Sequence, residues 1–207
     1  MKVLIVNGSG RPKGCTYVAL SEMEQILNGE GIETEQIFIG NEPLRDCTEC
    51  MKCKQLDNRC VFEDDIVNDF IDKAKTADGF IYGSPVYFAS PSARIQALLD
   101  RSYYAAKNVF RHKPACAIVS ARRAGTTAAL EVLNKYITYT ESPLVAASYW
   151  PMDQGRQPED VLQDEEGMQT IRNLARNMAW MLNCIEAGKA AGYSAPTNEY
   201  SKITNFI

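Results

Sequence analysis

Four cysteines crowd into fourteen residues in the first third of the chain. Cys47, Cys50, Cys53 and Cys60 have the spacing C-x2-C-x2-C-x6-C. Ferredoxins open in the same way, because this spacing lets one turn of chain present three thiolates to a cubane iron–sulfur cluster, and Cys60 would supply the fourth ligand. Four thiolates also suit a tetrahedral zinc ion, and closely spaced thiols can form a redox-active dithiol. The spacing therefore predicts a metal or redox site and leaves open a cluster, zinc and free thiols.

A glycine-rich loop follows the first apolar segment of the chain. Residues 7–16 have the sequence N-G-S-G-R-P-K-G-C-T, in which the glycines allow a tight turn and Ser9 and Thr16 offer hydroxyl groups. A predicted helix begins after the loop, and its free amides and dipole favour an anion. No acidic residue occurs before Glu22. The loop therefore predicts a phosphate site, although it is neither the G-x-G-x-x-G dinucleotide fingerprint nor the Gly-Lys-Ser/Thr loop of nucleotide triphosphatases.

Two further loops carry groups suited to a flat, redox-active ring. Residues 83–92, G-S-P-V-Y-F-A-S-P-S, place Tyr87 and Phe88 where a polar turn is expected, and exposed aromatic rings there can stack on a ring system. Residues 120–127, S-A-R-R-A-G-T-T, place two arginines and free amides that can bind a ring edge which becomes anionic on reduction. Together with the phosphate loop, these segments predict a site for flavin mononucleotide (FMN).

The elements that must position these loops alternate along the chain. We predict strands at 2–7, 33–39, 79–85, 115–121 and 143–149, and helices at 16–28, 64–77, 91–107, 126–140 and 165–187. This alternation predicts a doubly wound α/β fold, in which a five-stranded parallel sheet has helices on both faces. The three loops each follow a strand, so we expect them at the carboxyl edge of the sheet, where such folds bind ligands.

Composition restricts the classes of protein to consider. The 207 residues are 45% apolar and 23% charged, which is typical of one globular domain, here 1–207 with a cysteine-rich insertion at about 41–63 and an extended C-terminal tail from about 188. A net charge of −4 argues against a nucleic-acid partner. The N-terminus lacks the apolar core of a signal peptide, no run reaches membrane-spanning length, and seven cysteines are an odd number for a disulfide framework. We therefore expect a cytoplasmic protein.

Two further cysteines and the only histidine are predicted to carry no chemistry. Cys116 falls in a strand and Cys184 on the apolar face of the last helix, where cysteine is usually a small buried hydrophobic residue. His112 lies between two basic residues and is predicted at the surface, which argues against histidine-based acid–base or metal chemistry.

Several motifs along the chain are shared with one known family. They are the N-terminal G-S-x-R-x-x-G-x-T, the S-P-V-Y-F segment followed by a helix with Leu99-Asp100-Arg101, the R-R-A-G loop, Ser148-Tyr149-Trp150, the helix start Asp164-Glu165-Glu166-Gly167 and the closing Thr204-Asn205-Phe206-Ile207. In these motifs nearly the whole chain resembles the flavodoxin-like NAD(P)H-dependent FMN reductases, including their iron–sulfur flavoprotein branch. The resemblance implies a flavodoxin-like sheet with the strand order 2-1-3-4-5.

The resemblance also implies which residues would contact FMN. Its phosphate would be held by Ser9, Arg11, Gly14, Cys15 and Thr16, its ring by Pro85, Val86, Tyr87 and Phe88, and its pyrimidine edge by Ala121, Arg122, Arg123, Ala124 and Gly125. The iron–sulfur branch supports a 4Fe–4S cluster on the four cysteines of the insertion. Members of the family commonly form dimers with flavin sites near the subunit interface, so a homodimer is implied as well.

Two functions are consistent with these expectations. The leading interpretation is an enzyme in which NAD(P)H passes a hydride to bound FMN, which then reduces an acceptor such as a flavin or a quinone. The alternative is a non-enzymatic electron carrier that uses FMN and an iron–sulfur cluster. A sensor or structural module that has lost the flavin would leave the three loops unexplained.

Overall fold

Strands and helices alternate along the computed structural model, which describes residues 1–204; residues 205–207, which end the closing motif, lie outside the described residues. The strands are β1 (Lys2–Asn7), β2 (Glu33–Phe38), β3 (Gly79–Tyr87), β4 (Ser90–Pro91), β5 (Ala115–Ala121) and β6 (Met152–Gln154). The helices are α1 (Cys15–Gly29), α2 (Val67–Thr76), α3 (Ala93–Phe110), α4 (Thr126–Tyr139), α5 (Pro158–Val161) and α6 (Glu165–Ala190), and a 3-10 turn lies at Lys52–Gln55.

The sheet has the order β2-β1-β3-β5-β6, and all of these neighbours are parallel. Val6 on β1, for example, pairs with Ile37 on β2 and with Tyr82 on β3. The two-residue strand β4 lies outside this path and forms an antiparallel hairpin with the end of β3. The predicted fold class is therefore confirmed. The order 2-1-3-5-6 replaces the predicted 2-1-3-4-5 because β4 is a sixth strand that takes no place in the parallel sheet.

The strand beside β5 is not where the sequence predicted it. We expected it at 143–149, but within that range only Leu144 forms a bridge, with Ala115, and regular pairing begins at β6. The segment leaves the sheet because helix α6 binds it instead: the Asn177 side chain donates a hydrogen bond to Ala146 O over 2.8 Å. The predicted position of the fifth strand is therefore wrong.

The core lies in two layers, one on each face of the sheet. Side chains alternate along β1, so Leu4 and Val6 pack with α2, α3 and α4, whereas Val3 and Ile5 pack with α1 and α6. All four side chains are fully buried, and each contributes roughly 1.5–3 kcal/mol relative to an exposed position. This burial on both faces explains why β1 and β5 are continuous apolar runs.

The last helix, α6, covers the layer that contains α1. It begins at Glu165, as predicted, because the Asp164 carboxylate accepts a hydrogen bond from Gly167 N over 2.9 Å and caps the helix. It ends at Ala190, and residues 191–204 have no regular secondary structure. Within residues 1–204, the structure contains no helix that is both long and apolar enough to cross a membrane.

Cys116 and Cys184, the two cysteines predicted to be buried, differ in burial. Cys116 is fully buried in β5, as predicted, whereas Cys184 is exposed and its prediction is wrong. Cys184 lies two residues beyond Leu182, which is buried, and two residues rotate a side chain by about 200° around a helix. It therefore points away from the core.

Candidate cofactor site

The carboxyl edge of the sheet carries an open cleft of about 210 Å³. It lies near the ends of β1 and β3, whose following helices pack on opposite faces of the sheet, as at the ligand sites of doubly wound folds. The cleft is lined by Ser9, Arg11, Gly14, Cys15, Thr16, Pro85, Val86, Tyr87, Ser120, Ala121, Arg122, Gly155 and Arg156. The three loops singled out in the sequence therefore meet in one place.

A few of the residues expected at a flavin do not line this cleft: Phe88, Arg123, Ala124 and Gly125. Phe88 is fully exposed, and Arg123 and Ala124 are exposed as well. Gly125 lies where the third loop packs against the second. Its φ is +94°, and an added Cβ would lie 2.8 Å from the Cα of Ala89. Only glycine lets the third loop pack this closely on the second.

The loop between β1 and α1 is folded by its own side chains. Asn7 Oδ1 accepts a hydrogen bond from Ser9 N over 3.1 Å, and Ser9 Oγ accepts one from Arg11 N over 3.0 Å. Gly8 lets the loop lie against β3 and α3: its N donates to a β3 carbonyl over 2.8 Å, and a Cβ there would lie 2.8 Å from the Cβ of Ile95. Contacts within the protein therefore hold the loop in shape.

The start of α1 presents polar groups to the cleft. Within the described residues no side chain caps the helix at Gly14, and its first turn has no acidic residue. The hydroxyl of Thr16, a residue only 1% exposed, has no hydrogen-bond partner among residues 1–204. Buried hydroxyls are normally hydrogen-bonded, and the helix dipole favours negative charge. The phosphate of FMN, with several acceptor oxygens, fits these donors.

The β3–β4 hairpin forms the second wall of the cleft. Its tip residues Phe88 and Ala89 have φ values of +52° and +59°, which residues other than glycine rarely adopt. Ser92 ties the hairpin to the first loop, because its hydroxyl donates to Gly8 O over 2.7 Å and also caps α3. Tyr87 stays half exposed beside the cleft, where its ring can stack on a planar ligand.

A fourth segment, absent from the sequence predictions, completes the cleft. Gly155 and Arg156 directly follow β6, and Gly155 N donates to the last carbonyl of β5 over 2.9 Å. A Gly-Arg pair directly after a strand would have indicated a fourth binding loop. It was not recognised because the strand was predicted at 143–149, several residues before this pair. With Arg11 and Arg122, Arg156 gives the cleft three cationic side chains, which favour an anionic ligand.

A buried carboxyl group behind the cleft was also missed in the sequence. Asp153 on β6 is fully buried; its Oδ2 accepts a hydrogen bond from Ser120 Oγ over 2.7 Å, and its Oδ1 has no partner within the described chain. Burial, and to a smaller extent the charge of Asp164, raise the pKa of Asp153 to about 7. Burial and the charge of Asp153 in turn raise the pKa of the Cys15 thiol, at the start of α1. The cleft therefore has a neighbour that changes charge near neutral pH.

A larger cavity, of about 520 Å³, lies at the opposite edge of the sheet. Its lining includes Met1, Asp78 and Pro114, which directly precede β1, β3 and β5. Doubly wound folds bind ligands at the carboxyl ends of their strands. We therefore assign the ligand site to the smaller cleft, which has the buried polar groups that a ligand would satisfy.

The four cysteines of the insertion line a second small cavity, of about 20 Å³, against α3. Cys47 and Cys53 are partly buried, Cys50 is exposed and Cys60 is buried. Burial, followed by the charges of the other three thiols, raises the pKa of Cys53, so the four groups are close enough to interact. Among the described residues no three His, Cys, Asp or Glu side chains are arranged so that they could together hold one metal ion. Four thiols on one cavity are, however, the donor set of a cubane cluster.

Cys60 is held more firmly than its cavity neighbours. The side chain of Asn68 accepts a hydrogen bond from Cys60 N over 2.8 Å and donates one to Cys60 O over 3.0 Å. Nε and Nη2 of Arg101 each lie 3.4 Å from Cys60 Sγ. Both the backbone and the sulfur of this cysteine are therefore fixed in position.

The cysteine cavity and the cleft are separate sites in one chain. Among the described residues they share no lining residue. Arg101, on the cysteine cavity, lies about two turns into α3, or about 12 Å from Ala93 at the start of the helix. The cysteines therefore lie beside the middle of α3, whereas the cleft lies at the carboxyl edge of the sheet.

Most of the chain is similar to known flavoproteins. The family model for NADPH-dependent FMN reductase matches residues 1–157. An iron–sulfur flavoprotein of Methanocaldococcus jannaschii is 33% identical over 194 residues, which cover 90% of this chain and 100% of the relative. An iron–sulfur flavoprotein of Methanosarcina thermophila is 26% identical over 201 residues, which cover 91% of this chain and 99% of the relative. The solved structure of the flavoenzyme NAD(P)H:(acceptor) oxidoreductase from Paracoccus denitrificans aligns with a TM-score of 0.63 at 14% identity, over 88% of this chain and 97% of that one.

Proposed function

Since the chain belongs to the NADPH-dependent FMN reductase family, in its iron–sulfur flavoprotein branch, we propose that it binds FMN in the cleft and acts as an NAD(P)H-dependent oxidoreductase. The observation that carries the proposal is the buried hydroxyl of Thr16, which no described residue satisfies, at a helix start where the three loops meet. Bound FMN supplies hydride and electron transfer between NAD(P)H and an acceptor such as a flavin or a quinone.

Each wall of the cleft has its own task in this proposal. Thr16 and the first amides of α1 bind the phosphate, and Arg11 adds positive charge beside it. Residues 85–87 contact the face of the ring, while Ala121 and Arg122 lie at its pyrimidine edge. The chain thus contributes binding, orientation and charge to chemistry that the cofactor carries.

The phosphate assignment is tested by changing Thr16 and comparing two flavins. Thr16→Val removes the hydroxyl, and the loss of a hydrogen bond to a charged group costs about 1.5–3 kcal/mol, or roughly 10- to 100-fold in FMN affinity. Thr16→Asp places like charge beside the phosphate and should abolish FMN binding. Riboflavin, which has no phosphate, should bind both variants as well as it binds the parent chain.

The matched control is Thr170→Val, at a buried threonine of α6 that does not line the cleft. It should leave the affinity for both flavins unchanged. Titration of each apoprotein with FMN and riboflavin, followed by flavin fluorescence, gives the affinities. Equal FMN affinity for the parent chain and Thr16→Asp would refute the phosphate assignment.

A second candidate function is electron transfer between redox partners without a nicotinamide substrate. The separate cavity lined by four cysteines favours it, because a second redox group there could pass electrons to or from the flavin. Holoprotein that oxidises NADH or NADPH steadily with a flavin or a quinone as acceptor supports the enzyme. Holoprotein that dithionite reduces, but neither nucleotide does, supports the carrier.

The second redox group that we propose is a 4Fe–4S cluster on Cys47, Cys50, Cys53 and Cys60. The four thiols on one cavity and the names of the relatives support it. Anaerobically purified protein should contain iron and acid-labile sulfide, and serine at any of the four positions should remove both while FMN stays bound, because the cleft is separate. Zinc without sulfide would instead support the zinc site, and the absence of both metals would support free thiols.

We also propose that the chain works as a homodimer. Phe88 is fully exposed and Tyr87 half exposed beside the cleft, and exposed aromatic groups at a site of this kind favour a protein interface. Sedimentation should give twice the 23.1 kDa of one chain. Phe88→Ser should shift the equilibrium towards the monomer, and an unchanged dimer would place the interface elsewhere.

A further inference from the structure

Arg101 is a buried arginine that FMN binding does not use. Its side chain is 1% exposed, and arginine is rarely so buried unless its donors are paired. Nε and Nη2 both donate to Cys60 Sγ over 3.4 Å. The remaining contacts join Nη1 to the carboxylate of Asp65 and to Arg45 O, and Nη2 to Phe62 O. Every partner of the guanidinium thus lies in or beside the cysteine-rich insertion.

The contact with sulfur is specific to one cysteine of the four. The guanidinium presents two N–H groups as a rigid fork to a single atom, Cys60 Sγ. In the described part of the chain no side-chain N–H group donates to the sulfur of the other three cysteines, and the Cys53 thiol donates to the carbonyl oxygen of Tyr104 over 3.9 Å. One corner of the cysteine cavity is therefore built differently from the rest.

We propose that Arg101 is a positioning residue for the iron–sulfur cluster: it fixes the sulfur of Cys60 and, through two N–H···S hydrogen bonds, makes the cluster easier to reduce. This inference rests on the cluster proposed above. Hydrogen bonds to ligand sulfurs stabilise the more negative, reduced state and so help to set the reduction potential of a cluster. The net charge of the arginine contributes less, because Asp65 offsets it at close range.

The test must remove the donors without leaving a buried charge. Arg101→Met alone would strand the carboxylate of Asp65, whose side chain is 8% exposed, so it is combined with Asp65→Leu, which keeps the site apolar and the net charge unchanged. Asp65→Asn is the first control: it retains both donors to sulfur, and the uncompensated arginine charge that it leaves would raise the potential, opposite to the expected shift. Arg94→Gln is the second: Arg94 lies on the same helix and binds the carbonyl oxygens of Asn41 and Glu42 in the insertion, but no sulfur.

All four proteins are purified anaerobically, and their iron, sulfide and FMN contents are measured. The midpoint potential of the cluster is then obtained by redox titration followed by electron paramagnetic resonance. We expect the double variant to keep FMN and either to show a more negative midpoint potential or to lose iron and sulfide together. Both controls should retain the cluster, and neither should lower its potential.

Three results would overturn the inference. The first is a double variant with full iron and the potential of the parent protein, because the N–H···S bonds would then have no effect. The second is an equal change in midpoint potential or iron content in Arg94→Gln, because the anchoring of the insertion, and not the contact with sulfur, would then explain the effect. The third is a parent protein without iron or sulfide, which overturns the cluster as well and is recognised from the metal content alone.

Discussion

Asp153 should make the stability of the fold fall as the pH rises from about 4 to about 7. Its carboxyl group is fully buried and has a pKa of about 7, whereas an aspartate in an unfolded chain has a pKa near 3.9. The folded chain therefore binds more protons than the unfolded chain between about pH 4 and pH 7. Linkage then requires the free energy of unfolding to decrease as the pH rises through this window.

The size of the effect follows from the distance between the two pKa values. About three pKa units, at 1.36 kcal/mol each, give about 4 kcal/mol of stability that is present below pH 4 and lost above pH 7. Carboxylates whose pKa is lowered in the fold, such as Glu35 beside Lys2, have the opposite effect: the stability that they contribute is lost as the pH falls. Comparison with Asp153→Asn, which removes a single titrating group, separates the two effects.

Urea unfolding of the parent chain and of Asp153→Asn at pH 5 and pH 8 provides the measurement. Roughly 1.5 of the 4 kcal/mol are already lost at pH 5, so the parent should lose about 2.5 kcal/mol relative to the variant between the two pH values. Ser120→Ala is a useful companion, because the hydrogen bond from Ser120 lowers the pKa of Asp153 and its loss should enlarge the pH dependence. A difference between parent and Asp153→Asn that is the same at both pH values would refute the assignment of a protonated carboxyl group at neutral pH.

Three further changes have expected results. Arg122→Ala should lower the reduction potential of bound FMN, because less of the negative charge gained on reduction is then offset. Arg123 lies outside the cleft, so Arg123→Ala should leave the potential unchanged. Potentiometric titration of both holoproteins measures the two shifts, and equal shifts would show that the placement of these arginines is wrong. Tyr82→Phe should cost about 1–3 kcal/mol in urea unfolding, because it removes the partner that lies 2.8 Å from the buried hydroxyl of Tyr103; the double phenylalanine variant should recover most of that loss, and an additive loss would contradict the pairing. Gly8→Ala should cost about 1–3 kcal/mol in the same assay and weaken FMN binding, because its Cβ would meet a side chain of α3 at 2.8 Å; unchanged stability would show that the loop is free to move.

Much of the fold could be predicted because burial on both sides of a strand leaves a strong pattern. The apolar runs at 2–7 and 115–121 have the same bounds as β1 and β5. The segment 143–149 is apolar too, yet only Leu144 bridges β5, and the Asn177 side chain of α6 binds the carbonyl oxygen of Ala146. An apolar run alone does not show whether its hydrogen bonds go to a sheet or to a helix.

The candidate site was predictable where it depends on local sequence. Glycine, hydroxyl and aromatic residues follow three strands, and a parallel sheet brings the ends of those strands to one edge. Asp153 and Arg156 were missed because their place in the site depends on β6 lying beside β5. The contact between Arg101 and Cys60 joins residues 41 positions apart, so no local pattern indicates it.

The broken outer strand also affects how copies of the chain meet in concentrated solution. An open sheet has two edges whose free N–H and C=O groups can pair with another molecule. On one edge, β6 offers only three residues, and α6 holds the preceding segment. On the other edge, β2 carries Glu33, whose side chain is 69% exposed, and charged side chains on an edge strand oppose pairing with another sheet. The short length of β6, which made this strand hard to predict from the sequence, therefore also limits the pairing of one chain with another along the edge of the sheet.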